Sequence, residues 1–324
     1  MSTGTFVERS NLTVDDYLNK WLATAAKPRL RERTFDDYSE KLTRYVRPLL
    51  GAQKLSDVRS LDVQSLYSAM AERNLSPRTI RYTHAILNSA FKQAMKWNML
   101  VRNPCEVVEL PRRERKEMQA LSPVEVGRFL SAAEGDAYHA LFAFALTTGM
   151  RPEEYLSLKW SDLNLEARTA AVTRTLVWRK GGGWYFGEPK TTRSRRTITF
   201  GETLARALRT HRAKQSERRL QVGKAYAPEN LVFATLDGTP VNIRNLTLRH
   251  FKPILSRAGL PADFRLYDLR HTCATLLLAA NEHPKVVSER LGHANITLTL
   301  DTYSHVLPSM QQAASDKLER LLYG

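Results

Sequence analysis

Between residues 163 and 200 the hydrophobic period of the chain changes from that of helices to that of short strands. This switch constrains the fold more than any other feature. The runs "TAAVTRTLVW", "GGGWYFGE" and "SRRTITF" are β-branched or aromatic, and "RKGGG" and "PKTTR" separate them. Such runs between turn residues read as antiparallel strands. They predict one small antiparallel sheet of about three strands inside an otherwise helical chain. At 324 residues, the chain is long enough for two domains with separate cores.

Helical signals dominate elsewhere. In "LTVDDYLNKWLATAA", Thr13 is a candidate N-cap, and Val14, Tyr17, Leu18, Trp21 and Leu22 form one stripe. A second amphipathic segment spans residues 34–49 and ends near Gly51. "SLDVQSLYSAMAER" is a third, and a fourth opens with Ser76 as cap and Pro77 at the first helical position. These four helices, with basic polar faces, predict a compact bundle able to lie on DNA. "NPCEVVELPRRERKEMQ" reads as a linker, after which Ser122, Pro123 and Glu125 mark a capping box. The expected organisation is a tail over 1–12, a helical domain over 13–100, a linker over 101–119 and a second domain over 120–324. The final segment, "PSMQQAASDKLERLL", predicts a short amphipathic helix packed on its own domain or on a neighbouring subunit.

The charge bears on partners. Lys and Arg number 49 against 33 Asp and Glu, a formal balance of +16. Eleven Lys or Arg against two carboxylates fall between Lys190 and Lys224. Clustered positive charge favours a polyanion, with nucleic acid the leading candidate. Two cysteines make neither a disulfide framework nor a zinc site. The N-terminus lacks the apolar core of a secretory signal, and no run of about 18 apolar residues predicts a membrane span. A cytoplasmic protein that does not engage membranes is expected.

Several residues carry possible chemistry, each with a bland alternative. In "TTGMRPEEYLSLKWSDL", Arg151 precedes a helix started by Pro152, and Glu154 lies one turn on to orient the guanidinium; alone, Arg151 reads as a surface residue. Lys190 in "GEPKTTRSRR" falls at an expected hairpin tip, where it is otherwise one more solvated lysine. "YDLRHTCATLLLAA" is a helix with a buried apolar side that carries Tyr267, Arg270 and His271 in its first turns. An Arg so placed needs a partner, either the Asp268 carboxylate or an external phosphate. "VVSERLGHANITLTLDTYSH" predicts a helix, a Gly-His turn holding His293, and a helix ending near Tyr303. A lone His there is usually structural, and a lone Tyr usually packs.

Together these residues suit one reaction, attack by a phenolate on a phosphodiester. Arg151 and Arg270 would neutralise the phosphorane, His293 would bond a non-bridging oxygen or assist proton transfer, and Lys190 would protonate the leaving 5′ oxygen. Both Tyr267 and Tyr303 are candidate nucleophiles on this reading. No metal is called for: there is no carboxylate cluster, no H-E-x-x-H and no cysteine pair.

At these motifs the chain resembles the tyrosine recombinase (phage integrase) family over nearly its whole length. The resemblance implies a mainly α protein with a small antiparallel sheet: a helical core-binding, SAM-like domain followed by an α+β catalytic domain. It implies a site-specific DNA recombinase, the integrase of a phage or integrative element, working through a 3′-phosphotyrosyl intermediate without cofactor or metal. The implied partners are double-stranded DNA, a homotetramer on paired sites, and accessory DNA-bending or excisionase proteins. By position, Arg151, Lys190, Arg270, His293 and Tyr303 match the family's catalytic set, and Glu154 matches its supporting acidic position. Tyr267 stands where the family usually has His, as a supporting residue. The first helix signal at Thr13 leaves no room for an arm-binding domain ahead of it, so the expectation is either a short-form recombinase or a truncated one. Three readings stay open: a Xer- or resolvase-like recombinase, a type IB topoisomerase, and a DNA-binding regulator on an integrase scaffold.

Overall fold

The computed structural model describes residues 11–113, 118–189, 194–303 and 308–323, with backbone only over 308–314. The chain divides into two compact units, Met1–Lys116 and Glu117–Gly324.

The first unit is helical because its apolar residues recur at helical spacing and its caps are strong. α1 (Val14–Trp21) starts at Thr13, whose hydroxyl accepts from the Asp16 N–H at 3.1 Å while the Asp16 carboxylate accepts from the Thr13 N–H. A π-helical turn, Leu22–Ala26, extends it. α2 (Glu32–Lys41) runs through a second π-helical turn, Leu42–Val46, into α3 (Arg47–Leu50). α4 (Ser60–Glu72) and α5 (Pro77–Lys96) complete the set, with Ser76 capping α5. Tyr17, Leu18 and Trp21 of α1 bury themselves with Leu66 and Met70 of α4 and with Leu87 and Phe91 of α5. The Tyr17 hydroxyl donates to the Ala90 carbonyl, so this buried phenol does not lose its hydrogen bond. Residues 100–111 also belong to this core: Cys105 is 2% exposed, and Arg81 donates to the Pro111 carbonyl at 2.7 Å.

The second unit is α+β. α6 (Pro123–Ala132) opens with the Ser122–Glu125 capping box, and α7 (His139–Thr148) is apolar almost all round and buried. α8 (Pro152–Tyr155) is a single turn. Among the described residues five short strands follow: β1 (Leu163–Asn164), β2 (Thr169–Val172), β3 (Thr175–Trp178), β4 (Trp184–Gly187) and β5 (Arg196–Thr199). They form two antiparallel sheets, β1-β2-β5 and β3-β4, rather than one sheet of about three strands. The run "TAAVTRTLVW" is divided at Thr173 and Arg174, whose side chains both bond the Asp162 carboxylate. Those contacts pull the chain from one sheet into the other.

Helices return as α9 (Glu202–Val222), α10 (Ile243–Leu246), α11 (Lys252–Arg257), α12 (Asp268–Ala279), α13 (Pro284–Leu291), α14 (Ile296–Tyr303) and α15 (Pro308–Tyr323). The core is aromatic, with Phe129 edge-on to Phe142 and Phe251 at 5.7 and 5.6 Å. α12 packs along α7, which brings its first turn beside Gly149 at the end of α7. The class is mainly α with small antiparallel sheets, as expected. No described helix is long and apolar enough to cross a membrane.

Candidate active site

Arg270 is 2% exposed, and a cation so deeply buried requires acceptors. Its Nη1 donates to the Gly149 carbonyl and its Nη2 to the Leu291 carbonyl, both at 2.7 Å. A guanidinium has five N–H donors, so these two bonds fix its plane and leave others for an anion. Burial and the nearby Arg151 push its pKa down to about 10, still charged at neutral pH. The internal-carboxylate alternative is corrected here. Asp268 pairs instead with Arg265, Nη2 to Oδ1 at 2.7 Å, and accepts from the Arg265 N–H at 2.8 Å. Arg265 lies just before α12, and its backbone N–H and guanidinium both close on the carboxylate of the first helical residue, whereas Arg270, two positions further along the helix, projects to another side.

Gly149 ends α7 at φ 64°, a left-handed conformation that favours glycine. A Cβ there would lie 2.9 Å from Leu291 Cδ2 and 3.1 Å from Cys273 Sγ. Glycine is therefore required both by conformation and by the close approach of α12 and α13.

Two residues on, Arg151 caps α8 with its backbone N–H on Glu154 Oε2 at 3.0 Å and its Nη1 on Glu154 Oε1 at 2.7 Å. Its Nη2 lies 3.5 Å from the Gly292 carbonyl. Burial opposes the charge on Arg151, but the Glu154 carboxylate outweighs it and the pKa is raised. Glu154 is 2% exposed and bound from the other side by Arg196, Nη2 to Oε2 at 2.9 Å. Burial alone would raise the Glu154 pKa; Arg196 first, then Arg151, hold it below the usual carboxylate range. Arg196 also donates from Nε to the Arg290 carbonyl at 2.6 Å. Sequence reasoning counted Arg196 only as clustered charge. The period of two was the available signal: Ile198 of β5 is buried, so Arg196 shares its face.

His293 follows Gly292, which ends α13 at φ 66°. Its Nδ1 bonds the hydroxyl of the fully buried Thr299 at 2.7 Å, a partner the sequence did not reveal. Burial, then Arg270 and Arg151, lower its pKa to about 4, so it is neutral at pH 7.

Tyr303 is 1% exposed, packed with Ala274, Leu278, Val287 and Leu291. Burial raises its pKa, while the charge of Arg270 works the other way. Its hydroxyl bonds His271 Nδ1 at 2.8 Å. Tyr267, by contrast, is 38% exposed and leans on the His271 ring at 5.3 Å between centroids. Lys190 lies outside the described residues.

Side chains widely separated in sequence thus converge: Arg270 is tied to Gly149 and Leu291, each two residues from Arg151 and His293. The site holds guanidinium charge, neutral imidazoles and a buried phenol, a set built to bind an anion and move a proton.

A family profile described as the phage integrase family matches residues 119–310, and one described as the phage integrase N-terminal SAM-like domain matches residues 13–71. The chain is 32% identical to a tyrosine recombinase XerC-like protein of Caldanaerobacter subterraneus subsp. tengcongensis, over 98% of this chain and 85% of that protein. It is 31% identical to an integrase of Streptomyces ambofaciens, over 96% of this chain and 81% of that one. Among solved structures, the Tn1549 transposon integrase in complex with transposon right end DNA superposes with a TM-score of 0.80 at 25% identity. That match covers 95% of this chain and 99% of the other.

Proposed function

The chain belongs to the phage integrase family and is a tyrosine-type site-specific recombinase, and from this premise we propose that Tyr303 is the nucleophile that cuts and rejoins duplex DNA. The observation that carries the assignment is the double anchoring of Arg270, which draws the Arg151 turn and the His293 turn onto one helix start. Arg151 and Arg270 bind the scissile phosphate and neutralise the phosphorane as its charge grows. Glu154, held by Arg196, orients Arg151. His293 donates from Nε2 to a non-bridging oxygen while its Nδ1 is occupied by Thr299. Lys190 protonates the leaving 5′ oxygen. Tyr267, exposed at the edge of the site, hydrogen-bonds the phosphate.

The residues beyond 120 form the catalytic part and residues 13–100 the core-binding part. The names of relatives called integrases support a role in a mobile element. The relative called XerC-like favours a second reading, a resolving recombinase with the same chemistry. The partner is double-stranded DNA, in keeping with the +16 balance. A homotetramer on paired sites is supported by α15, whose Leu318, Leu321 and Leu322 are 58%, 81% and 63% exposed. Accessory DNA-bending or excisionase proteins belong to the same reading.

A nicked duplex carrying the recombination site, from which the cut strand diffuses away, tests the reaction. The full chain is expected to accumulate a covalent protein–DNA adduct, and its absence would favour the DNA-binding regulator. Lys190→Ala should cleave this substrate about 100-fold more slowly. A substrate with 5′-bridging sulfur, whose leaving group needs no proton, should recover most of that rate. Equal slowing on both substrates would remove Lys190 as the general acid.

A further inference from the structure

The contact between His271 and Tyr303 has no assigned role, and its geometry suits proton transfer. Among the described residues, His271 is the hydrogen-bond partner of the Tyr303 hydroxyl, at 2.8 Å. In the tautomer protonated at Nε2, the hydroxyl donates and Nδ1 accepts. His271 is 6% exposed, and the charge of Arg270, the proposed phosphate ligand, acts on its ring. Position 267, three residues before Arg270, holds a tyrosine and no imidazole. We propose that His271 is a catalytic residue, the general base that takes the proton of Tyr303 as it attacks phosphorus, and the acid that returns it on religation.

This rests on Tyr303 being the nucleophile. In cleavage, the Tyr303 O–H bond breaks and its proton passes to Nδ1. The phenolate oxygen forms the new bond to phosphorus, and the 5′ oxygen leaves with a proton from Lys190. In religation the 5′ hydroxyl attacks and gives its proton back to the Lys190 amine, and the departing phenolate recovers its proton from the His271 imidazolium. Burial, then Arg270 and Arg265, lower the His271 pKa to about 4 against the pull of Asp268, so the ring is in its accepting form at pH 7. A phosphodiester bound at Arg270 adds negative charge beside the ring and raises that value toward the working range. The groups facing His271 are Asp268 and Arg270 on its own helix, Arg265 and Tyr267 just before it, and His293 and Tyr303 packed against it.

His271→Asn decides the matter, because the amide oxygen keeps an acceptor near Nδ1 without being a base. In single-turnover cleavage of the nicked substrate the variant should be slower by about 100-fold or more, with DNA affinity unchanged. Its rate should climb about tenfold per pH unit above pH 7, where the wild type is flat. A wild-type rate and pH profile, or faster cleavage, would overturn the proposal and make His271 only a holder of Tyr303. Nitrogen-15 NMR of the wild-type histidines supplies a measurement that needs no variant. Nδ1 of His271 is expected unprotonated at pH 7, and a hydrogen there would overturn the proposal. Tyr303→Phe on the same substrate separates the two readings. Adduct from Tyr303→Phe removes the underlying assignment, whereas an inactive Tyr303→Phe beside a fully active His271→Asn removes only the role of His271.

Discussion

Tyr303→Phe is expected to abolish covalent attachment to the nicked substrate while leaving DNA affinity within about twofold of the wild type. Phenylalanine preserves the ring that packs on Ala274, Leu278, Val287 and Leu291, so the fold around α12 to α14 keeps its volume. What disappears is one oxygen and its bond to His271. The loss leaves a buried acceptor unsatisfied, a cost of about 1–3 kcal/mol, small enough for the unit to remain folded. Binding relies on cations spread over the chain, so affinity should hardly change. Residual adduct at more than about 1% of the wild-type rate would point to another nucleophile, and Tyr267, exposed at the start of α12 beside His271, is the alternative.

The second large effect concerns Glu154, which is clamped between two guanidinium groups at 2.7 and 2.9 Å. Glu154→Ala removes the carboxylate and leaves Arg196, whose side chain is 8% exposed, facing Arg151 without compensation. Breaking a buried ion pair from one side costs about 3–5 kcal/mol. Urea unfolding should show a loss of that size, and adduct formation should fall steeply because Arg151 loses its orientation. Glu154→Gln, which keeps the shape, should lose less stability. The pH dependence has a definite sign. A carboxyl whose folded pKa is depressed stabilises above its unfolded pKa, near 4.3, and that contribution is lost as pH falls through the lower folded value. Wild-type stability should therefore decline below about pH 4 more steeply than that of Glu154→Gln. Parallel declines would mean that the triad contributes nothing to folding.

Sequence reasoning reached the features that local chemistry determines. The helices of the first unit and the capping residues Thr13, Ser76 and Ser122 were legible because caps act within one turn. The glycines before Met150 and His293 marked helix ends for the same reason. What escaped were choices made over long distances. The strand run after Thr169 split between two sheets because Asp162 engages Thr173 and Arg174, a contact without a periodic signature. The sequence offers Asp268 as a partner for Arg270, yet the acceptors are the Gly149 and Leu291 carbonyls, and every residue carries a carbonyl. Arg196 was hidden among neighbouring arginines, although the burial of Ile198 makes its face readable. The depth of Tyr303 and its bond to His271 depend on how α14 packs, which no spacing reveals.

The most direct test of the account is identification of the residue joined to DNA. The full chain would be trapped on the nicked substrate, digested, and the nucleotide-bearing peptide sequenced by mass spectrometry. The account predicts a nucleotide attached through its 3′ phosphate to Tyr303; attachment to Tyr267, or to any other side chain, would contradict it.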